Sequence, residues 1–380
     1  MFNSISIQIC SLVYVVMLIV VYLYKRKYNS LENGIYKVML INTLFILILD
    51  LMSIFTIRYY VNFSFLLLFL QIFVIFIFME NLKRYNRLTE YLKNKFGERT
   101  LKICIDGGFT CPNRDGTAGI GGCIFCSEHG SGDHLNSSKN IQAQIESYFS
   151  SYRSTRANKF IAYFQNFTNT YDTIANLKLK YDSALIDDRI VALAVATRPD
   201  CITEEVVKLL KSYSEKYYVW VELGLQTANE QTGILINRGY SSKQFSDAVA
   251  LLNKYKIDVV THIMVGLPGE TNDDLCNTIK FINNHNIQGL KIHSTYVIQN
   301  TKLAQMYYDG KYTPLKLDDY LNSVVYILTH ISPNIVIHRI SGDAPKDLLI
   351  APGWNAHKKL VINGVDRILK EKDLYQGKEV

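Results

Sequence analysis

The stretch Cys111-Pro-Asn-Arg-Asp-Gly-Thr-Ala-Gly-Ile-Gly-Gly-Cys123-Ile-Phe-Cys126 places three thiols on a glycine-rich loop, directly after a β-prone run, Leu101–Ile105. Gly116, Gly119, Gly121 and Gly122 let the backbone fold back sharply, so Cys111 can meet the Cys123/Cys126 pair at one point. Converging thiolates suit a soft metal or an iron–sulfur cluster. A lone cysteine is usually a small buried hydrophobe, and Cys10, Cys104, Cys201 and Cys276 read that way. A disulfide is the weaker reading, because the remainder of the chain looks cytosolic, where thiols stay reduced. Zinc is the stronger rival: His129 stands three residues after Cys126 and can complete a Cys3His site. The spacing leaves cluster and zinc both open.

Working outward, the chain after Thr100 alternates short β-branched runs with longer helical stretches. Candidate strands are Leu101–Ile105, Phe160–Phe164, Ile190–Val195, Tyr218–Leu223, Val259–Val265 and Gly289–His293, with helices expected around 171–181, 203–215, 243–255 and 272–284. This repetition predicts an α/β fold, a mainly parallel sheet with helices outside it, and a closed or partly closed barrel has its site at the strand C-termini. Polar residues collect there: Asp106 after the first strand, Gln165, Asn166, Thr168, Asn169 and Thr170 after the second, Thr197, Arg198 and Asp200 after the third. Glu222 and Gln226 follow on the fourth, and His262 lies on the fifth, which runs into Gly266-Leu-Pro-Gly-Glu270. Singly, each reads as a turn or cap; as a ring in register with the cysteine loop they read as a site. The absence of G-x-x-x-x-G-K-[ST] argues against a P-loop.

Residues 1–79 have a different character. Three apolar runs, 5–24, 36–57 and 63–79, each approach the ~20 residues needed to cross a bilayer as helix. Lys25, Arg26 and Lys27 after the first and Lys83, Arg84 and Arg87 after the third put everything beyond Met79 in the cytoplasm, by the positive-inside rule. No secretory signal is convincing, since the first run is too long and lacks a small-residue cleavage site. The expected location is the inner membrane with a cytoplasmic catalytic domain, or the cytoplasm if translation starts at Met79. Asp50 in the second run reads as a packing or near-interface carboxylate. Residues 80–99 form a basic amphipathic stretch, with Leu82, Tyr85, Leu88 and Leu92 at helical spacing. Its lysines and arginines can meet RNA phosphate or lipid headgroups, although a solvated face is the ordinary role.

The expected division is therefore a membrane segment 1–79, a docking helix 80–99, a core barrel 100–300 and a C-terminal extension 301–380. The extension carries helices near Leu317–His330 and Ala356–Leu369 and a run from Ile335 to Asp347 that starts as a strand and ends as a charged loop. His338, Arg339, Asp343, Lys346 and Asp347 in that run can face a substrate or form a surface ion-pair network. The formal charge of +7 over 380 residues permits an anionic partner without requiring one.

Several blocks together resemble the YhcC/YtqA-like radical SAM proteins, relatives of the Elongator catalytic subunit. They are Ile105-Asp-Gly-Gly-Phe-Thr-Cys-Pro-Asn-Arg-Asp-Gly116, Gly121-Gly-Cys-Ile-Phe-Cys126, Tyr163-Phe-Gln-Asn-Phe-Thr-Asn-Thr-Tyr171, Thr197-Arg-Pro-Asp-Cys-Ile202, Glu222-Leu-Gly-Leu-Gln-Thr227 and His262-Ile-Met-Val-Gly-Leu-Pro-Gly-Glu270. Ile340-Ser-Gly-Asp-Ala-Pro-Lys-Asp-Leu-Leu-Ile-Ala-Pro352 and Tyr375-Gln-Gly-Lys378 complete the set, so the resemblance covers roughly the last three hundred residues. The membrane segment departs from it.

The resemblance implies a partial (β/α)6 TIM-type barrel holding a 4Fe-4S cluster on Cys111, Cys123 and Cys126, in a C-x11-C-x2-C spacing that looks like this family's own form. It implies S-adenosylmethionine (SAM) at the open iron, cleaved to a 5′-deoxyadenosyl radical by an electron from a donor such as flavodoxin or ferredoxin. Phe125 corresponds to an aromatic near the adenine. Position at strand ends adds Gln165, Asn169, Thr197, Glu222, Gln226 and Pro268 as SAM-pocket candidates, while Asp106, His338, Arg339, Asp343 and Lys346 are substrate candidates. The relatives point to tRNA, at carbon 5 of a wobble uridine, although no RRM or KH pattern is present. Two alternatives stand beside this: radical chemistry on a small metabolite or lipid, and a membrane-tethered zinc-binding module without catalysis.

Overall fold

The sheet that organises the fold starts from alternation within each strand. Side chains at even spacing point to opposite faces, and in a parallel sheet both faces are covered. The structure, a computed structural model, describes residues 83–128, 130 and 140–380. The three predicted spans and His129 lie outside the described residues. Among the described residues no helix is long and apolar enough to cross a membrane.

In chain order, α1 (Leu88–Phe96) leads into β1 (Thr100–Ile105), α2 (Ile141–Phe149), β2 (Lys159–Phe164), α3 (Ile174–Asp182), β3 (Ile190–Thr197) and α4 (Glu204–Tyr213). Then come β4 (Tyr218–Gln226), α5 (Glu230–Leu235), α6 (Ser242–Lys254), β5 (Asp258–Val265), α7 (Asn272–Asn283) and β6 (Gly289–Ser294). The remainder comprises β7 (Val297–Ile298), α8 (Lys302–Tyr308), α9 (Leu317–His330), β8 (Val336–Arg339), β9 (Leu349–Ala351) and α10 (Lys358–Glu371). Crossover helices start at hydroxyl caps: Thr173, Thr203, Ser241 and Thr271 each accept a hydrogen bond from a backbone N–H in the first turn, Ser241 and Thr271 within full capping boxes.

Strands β1 to β6 pair in sequence order, all parallel, and β8 adds a seventh beside β6. The sheet curls into a half-barrel. This corrects the expected six strands. The physical reason is the edge: β6 would expose its unpaired backbone, and Val336–Arg339, apolar at its start, pairs there. β7 and β9 form a separate antiparallel pair.

One face of each strand packs on the outer helices: Phe160, Ala162 and Phe164 of β2, Val221 and Leu223 of β4, and Leu290 and Ile292 of β6 join α3, α4, α6, α7, α9 and α10 in the main core. The other face lines the inside of the half-barrel, where Ile161, Tyr163, Ala192, Ala194, Trp220 and Val260 meet α1. Leu92 of α1 is buried among them, with Leu88, Tyr91 and Phe96 half-buried. Among the described residues of the stretch expected to be helical over 80–99, the helix runs from Leu88 to Phe96, ended by Gly97 in the left-handed region. Its basic residues are partly committed: Lys95 lies 3.7 Å from the centre of the Tyr218 ring. So α1 closes the N-terminal end of the half-barrel and leaves the C-terminal end open.

Candidate active site

Three layers stack along the inside of the half-barrel. Above the apolar layer sits a charged one centred on Glu222 of β4, fully buried. Its Oε1 lies 3.1 Å from Lys102 Nζ and accepts from Trp220 Nε1 at 3.0 Å; its Oε2 accepts from Tyr163 Oη at 2.7 Å and from Lys291 Nζ, and meets His262 Nε2 at 2.9 Å. His338 Nδ1 stands 3.9 Å away. Burial raises a carboxyl's pKa, but Lys102, Lys291 and His262 outweigh it, so Glu222 is held well below the usual range and is a carboxylate. Burial pushes Lys291 down to about 7 despite Glu222 beside it, and His262 to about 4. Burial is the main reason Lys291 titrates low, with Lys102 and Arg339 adding to it, while Glu222 opposes the fall and stays ionised.

The third layer is an open pocket of about 260 Å³ at the strand C-termini. Cys111, Cys123, Cys126 and Phe125 line it from the loop after β1, with Gln165 just after β2 and Thr197, Glu222, Gln226 and Arg339 from the strands. Two glycines of that loop do specific work. Gly122 has φ 74°, in the left-handed region, immediately before Cys123; at Gly119 a Cβ would lie 2.2 Å from Asn113 Oδ1. Asn113, fully buried, donates from Nδ2 to Asn237 O at 2.6 Å and lies 3.8 Å from Cys123 Sγ. Arg114 donates to the carbonyl oxygens of Ser127 and, at 3.1 Å, Glu128, and Arg198 Nη1 lies 4.0 Å from Cys111 Sγ.

These contacts test whether the loop fits a cluster. The Cys123 thiol is pushed up to about 12, by burial first and also by Cys126 and Cys111, with Arg198 and Asn113 opposing the rise. Three thiols crowded in this way become thiolates when metal supplies positive charge, with an arginine and an amide N–H directed at their sulfurs. The donor set fits iron–sulfur ligation. Among the described residues no three His, Cys, Asp or Glu are drawn up as a single-ion site, and the zinc reading's His129 is outside them.

Other sequence candidates lie elsewhere. Asn169 is fully buried behind the wall, donating to Phe164 O and Ala196 O to tie β2 to β3. Pro268 is on the turn after β5, whose Leu267 packs in a satellite core with α8. Asp106 accepts from Gly108 N at 2.9 Å and closes a turn, its backbone clipped by Gln144. His338 sits in the charged layer against Trp220 rather than on the pocket wall. Asp343 pairs with Arg339 at 3.1 Å and Lys358 at 3.4 Å, and Lys346 is exposed. Asp106, Asn169 and Pro268 follow strand ends, and His338, Asp343 and Lys346 belong to the run from Ile335 to Asp347, whereas strand pleat decides which side chains turn inward. By pleat, Lys102, Tyr163, Lys291 and His293 belong to the site and went unnoticed as candidates. Their signal was a charged or polar residue within an otherwise apolar strand.

A family model described as the radical SAM superfamily matches residues 111–282, and one for the radical SAM C-terminal domain matches 287–371. YtqA of Bacillus subtilis (strain 168) is 40% identical over 298 residues, which is 78% of this chain and 92% of that protein. The chain belongs to the radical SAM superfamily. Its cofactors are a 4Fe-4S cluster and SAM. A tRNA uridine(34) acetyltransferase of Dehalococcoides mccartyi (strain CBDB1) is 29% identical over 188 residues, 48% of this chain but only 39% of that protein. The structure of Methanocaldococcus infernus Elp3 with an N-terminal deletion shares the fold, with a TM-score of 0.58 at 18% identity over 73% of this chain and 64% of that one. The radical SAM C-terminal domain contains β8, which accounts for the seventh strand arising beyond the expected barrel.

Proposed function

We propose that this radical SAM protein modifies tRNA at the carbon-5 side chain of a wobble uridine. The observation that carries the reading is the core it shares with a tRNA uridine(34) acetyltransferase, set in a chain of net charge +7. Cys111, Cys123 and Cys126 would hold the cluster, with Asn113 and Arg198 orienting two of the sulfurs. When bound, the cluster and SAM supply a hydrogen-abstracting radical. Phe125, Gln165, Thr197 and Gln226 line the wall beside the thiols and are the residues available to hold SAM. Glu222 and its cations form the floor of the pocket and give it a charged surface. Gln226 has φ 66° at a register shift between β4 and β5, which turns the strand end at the pocket wall.

The electron donor is a low-potential carrier of the flavodoxin or ferredoxin class. The catalytic unit works on the cytoplasmic side, tethered to the membrane when residues 1–79 are present. Comparing the modified nucleosides of total tRNA from cells with and without this protein tests the substrate: a changed wobble uridine is expected. Unchanged tRNA, with SAM still cleaved to 5′-deoxyadenosine by the reconstituted protein under dithionite, would transfer the reading to a small metabolite or lipid.

A further inference from the structure

The pocket has two chemically different ends. The thiols, Phe125 and Gln165 belong to the side of β1 and β2, whereas Lys291, His293 and Arg339 stand on β6 and β8, Lys291 and Arg339 being register partners. The β6/β8 end is rich in positive charge. Lys291 shares one buried carboxylate, Glu222, with Lys102 of β1, while Arg339 shares the largely exposed Asp343 with Lys358, so each acid faces two cations. His293 lines the same end, and its Nε2 is buried without a hydrogen-bond partner. A buried ring nitrogen left unpaired is costly and marks a place where a ligand completes the network.

We propose that the β6/β8 end of the pocket binds a compact oxyanion carried by the substrate, a carboxylate or a phosphate, with Arg339 and Lys291 as its charge partners and His293 Nε2 as its hydrogen-bond donor. This rests on the reading of the thiol end as the cofactor's, which leaves the opposite end to the substrate. Arg339 presents the planar fork suited to carboxylate or phosphate, and Tyr163, donating to Glu222 and accepting from Lys291 at 2.8 Å, fixes the ammonium at the pocket floor. The His293 ring is neutral, held well below its ordinary pKa chiefly by burial and by His262 beside it, so it can donate a single N–H without adding charge. An arriving anion offsets the surplus cation that Glu222 alone does not neutralise.

The test uses the full chain, labelled with ¹⁵N-histidine and with the His293 signal assigned by its loss in His293→Gln. Sodium acetate and, separately, inorganic phosphate are titrated while the ring nitrogens are followed against a chloride control. A saturable shift is expected with at least one anion, weakened at least about tenfold in Arg339→Gln, as loss of a charge-assisted hydrogen bond requires. A response to acetate alone assigns a carboxylate, to phosphate alone a phosphate, and to both an oxyanion of either kind. No shift with either anion, or an undiminished one in Arg339→Gln, overturns the site. Dithionite-driven formation of 5′-deoxyadenosine by the unsubstituted protein reports separately on the radical reading: product without an anion response sinks the anion site alone.

Discussion

Asn113 Nδ2 donates to the backbone carbonyl of Asn237 at 2.6 Å, joining the cysteine loop to the segment after α5. Asn237 reciprocates, its own Nδ2 donating to Gly122 O at 2.7 Å. The loop that gathers the thiols is thus held from outside itself, beside Cys123.

Asn113→Ala should loosen that grip. It leaves Asn237 O with one fewer donor in a buried setting, a cost of about 1–3 kcal/mol, and removes the N–H nearest Cys123 Sγ. After anaerobic reconstitution and gel filtration, iron and sulfide per chain should fall well below the unsubstituted protein, with far-ultraviolet circular dichroism unchanged. Full iron occupancy in the variant would show that the loop holds its shape without this amide.

A second tie lies at the other end of the chain. Gln376 accepts from Asn86 N at 2.9 Å and donates to Ser332 O and Ile335 O at 2.8 Å each. One buried amide therefore stitches the C-terminal tail to the start of the core and to the lead-in of β8. Gln376→Ala should lower stability by about 1–3 kcal/mol for unpaired buried backbone groups, read as a drop in the urea midpoint at constant slope. A midpoint within error of the unsubstituted protein would show that other groups replace these bonds.

Acid should destabilise the fold from just below neutrality. His262, His293 and His338 are all held below their ordinary range, with burial the first cause. In the unfolded chain they take up protons near pH 6.5. Between about 6.5 and 4, the value to which His262 is depressed, the unfolded state binds protons that the folded state refuses, so stability falls as pH falls. Glu222 adds a loss of the same sign below roughly pH 4.3, its unfolded value. Lys291, depressed to about 7, makes stability rise with pH from there toward about 10.4. Guanidinium midpoints should decline from pH 7 to pH 5, and less steeply in His262→Gln. A flat profile over that interval would mean the rings are not buried neutral.

The repeating βα order, most strand bounds and the cysteine loop were legible in the sequence because each is written locally: β-branched runs, hydroxyl caps, glycines at turns. Leu317–His330 coincides with the helix expected from its spacing. What was not legible depends on the third dimension. Val336–Arg339 became a barrel strand only because β6 had an open edge. Lys102 and Lys291 looked like interruptions in apolar runs until strand pleat placed both on Glu222. Asp106 and Asn169, polar and correctly placed in sequence, turned out to satisfy backbone groups in and between neighbouring segments.

Glu222 itself gives the sharpest expectation, because it carries the negative charge that lets two buried or half-buried lysines approach the same point. Glu222→Gln keeps the side-chain volume and hydrogen-bonding span but leaves Lys102 and Lys291 without their shared counter-charge. Breaking a buried ion pair from one side costs about 3–5 kcal/mol, since the remaining charge is uncompensated. Replacing Lys291 as well, in Glu222→Gln/Lys291→Met, removes that stranded ammonium and should recover much of the loss. Urea denaturation of both variants and of Lys291→Met alone measures the coupling. If Glu222→Gln is as stable as the unsubstituted protein, or if the double variant is the sum of the singles, the charged layer is not held together by this carboxylate, and the floor of the pocket must be ordered by its packing against Trp220 and Tyr163 instead.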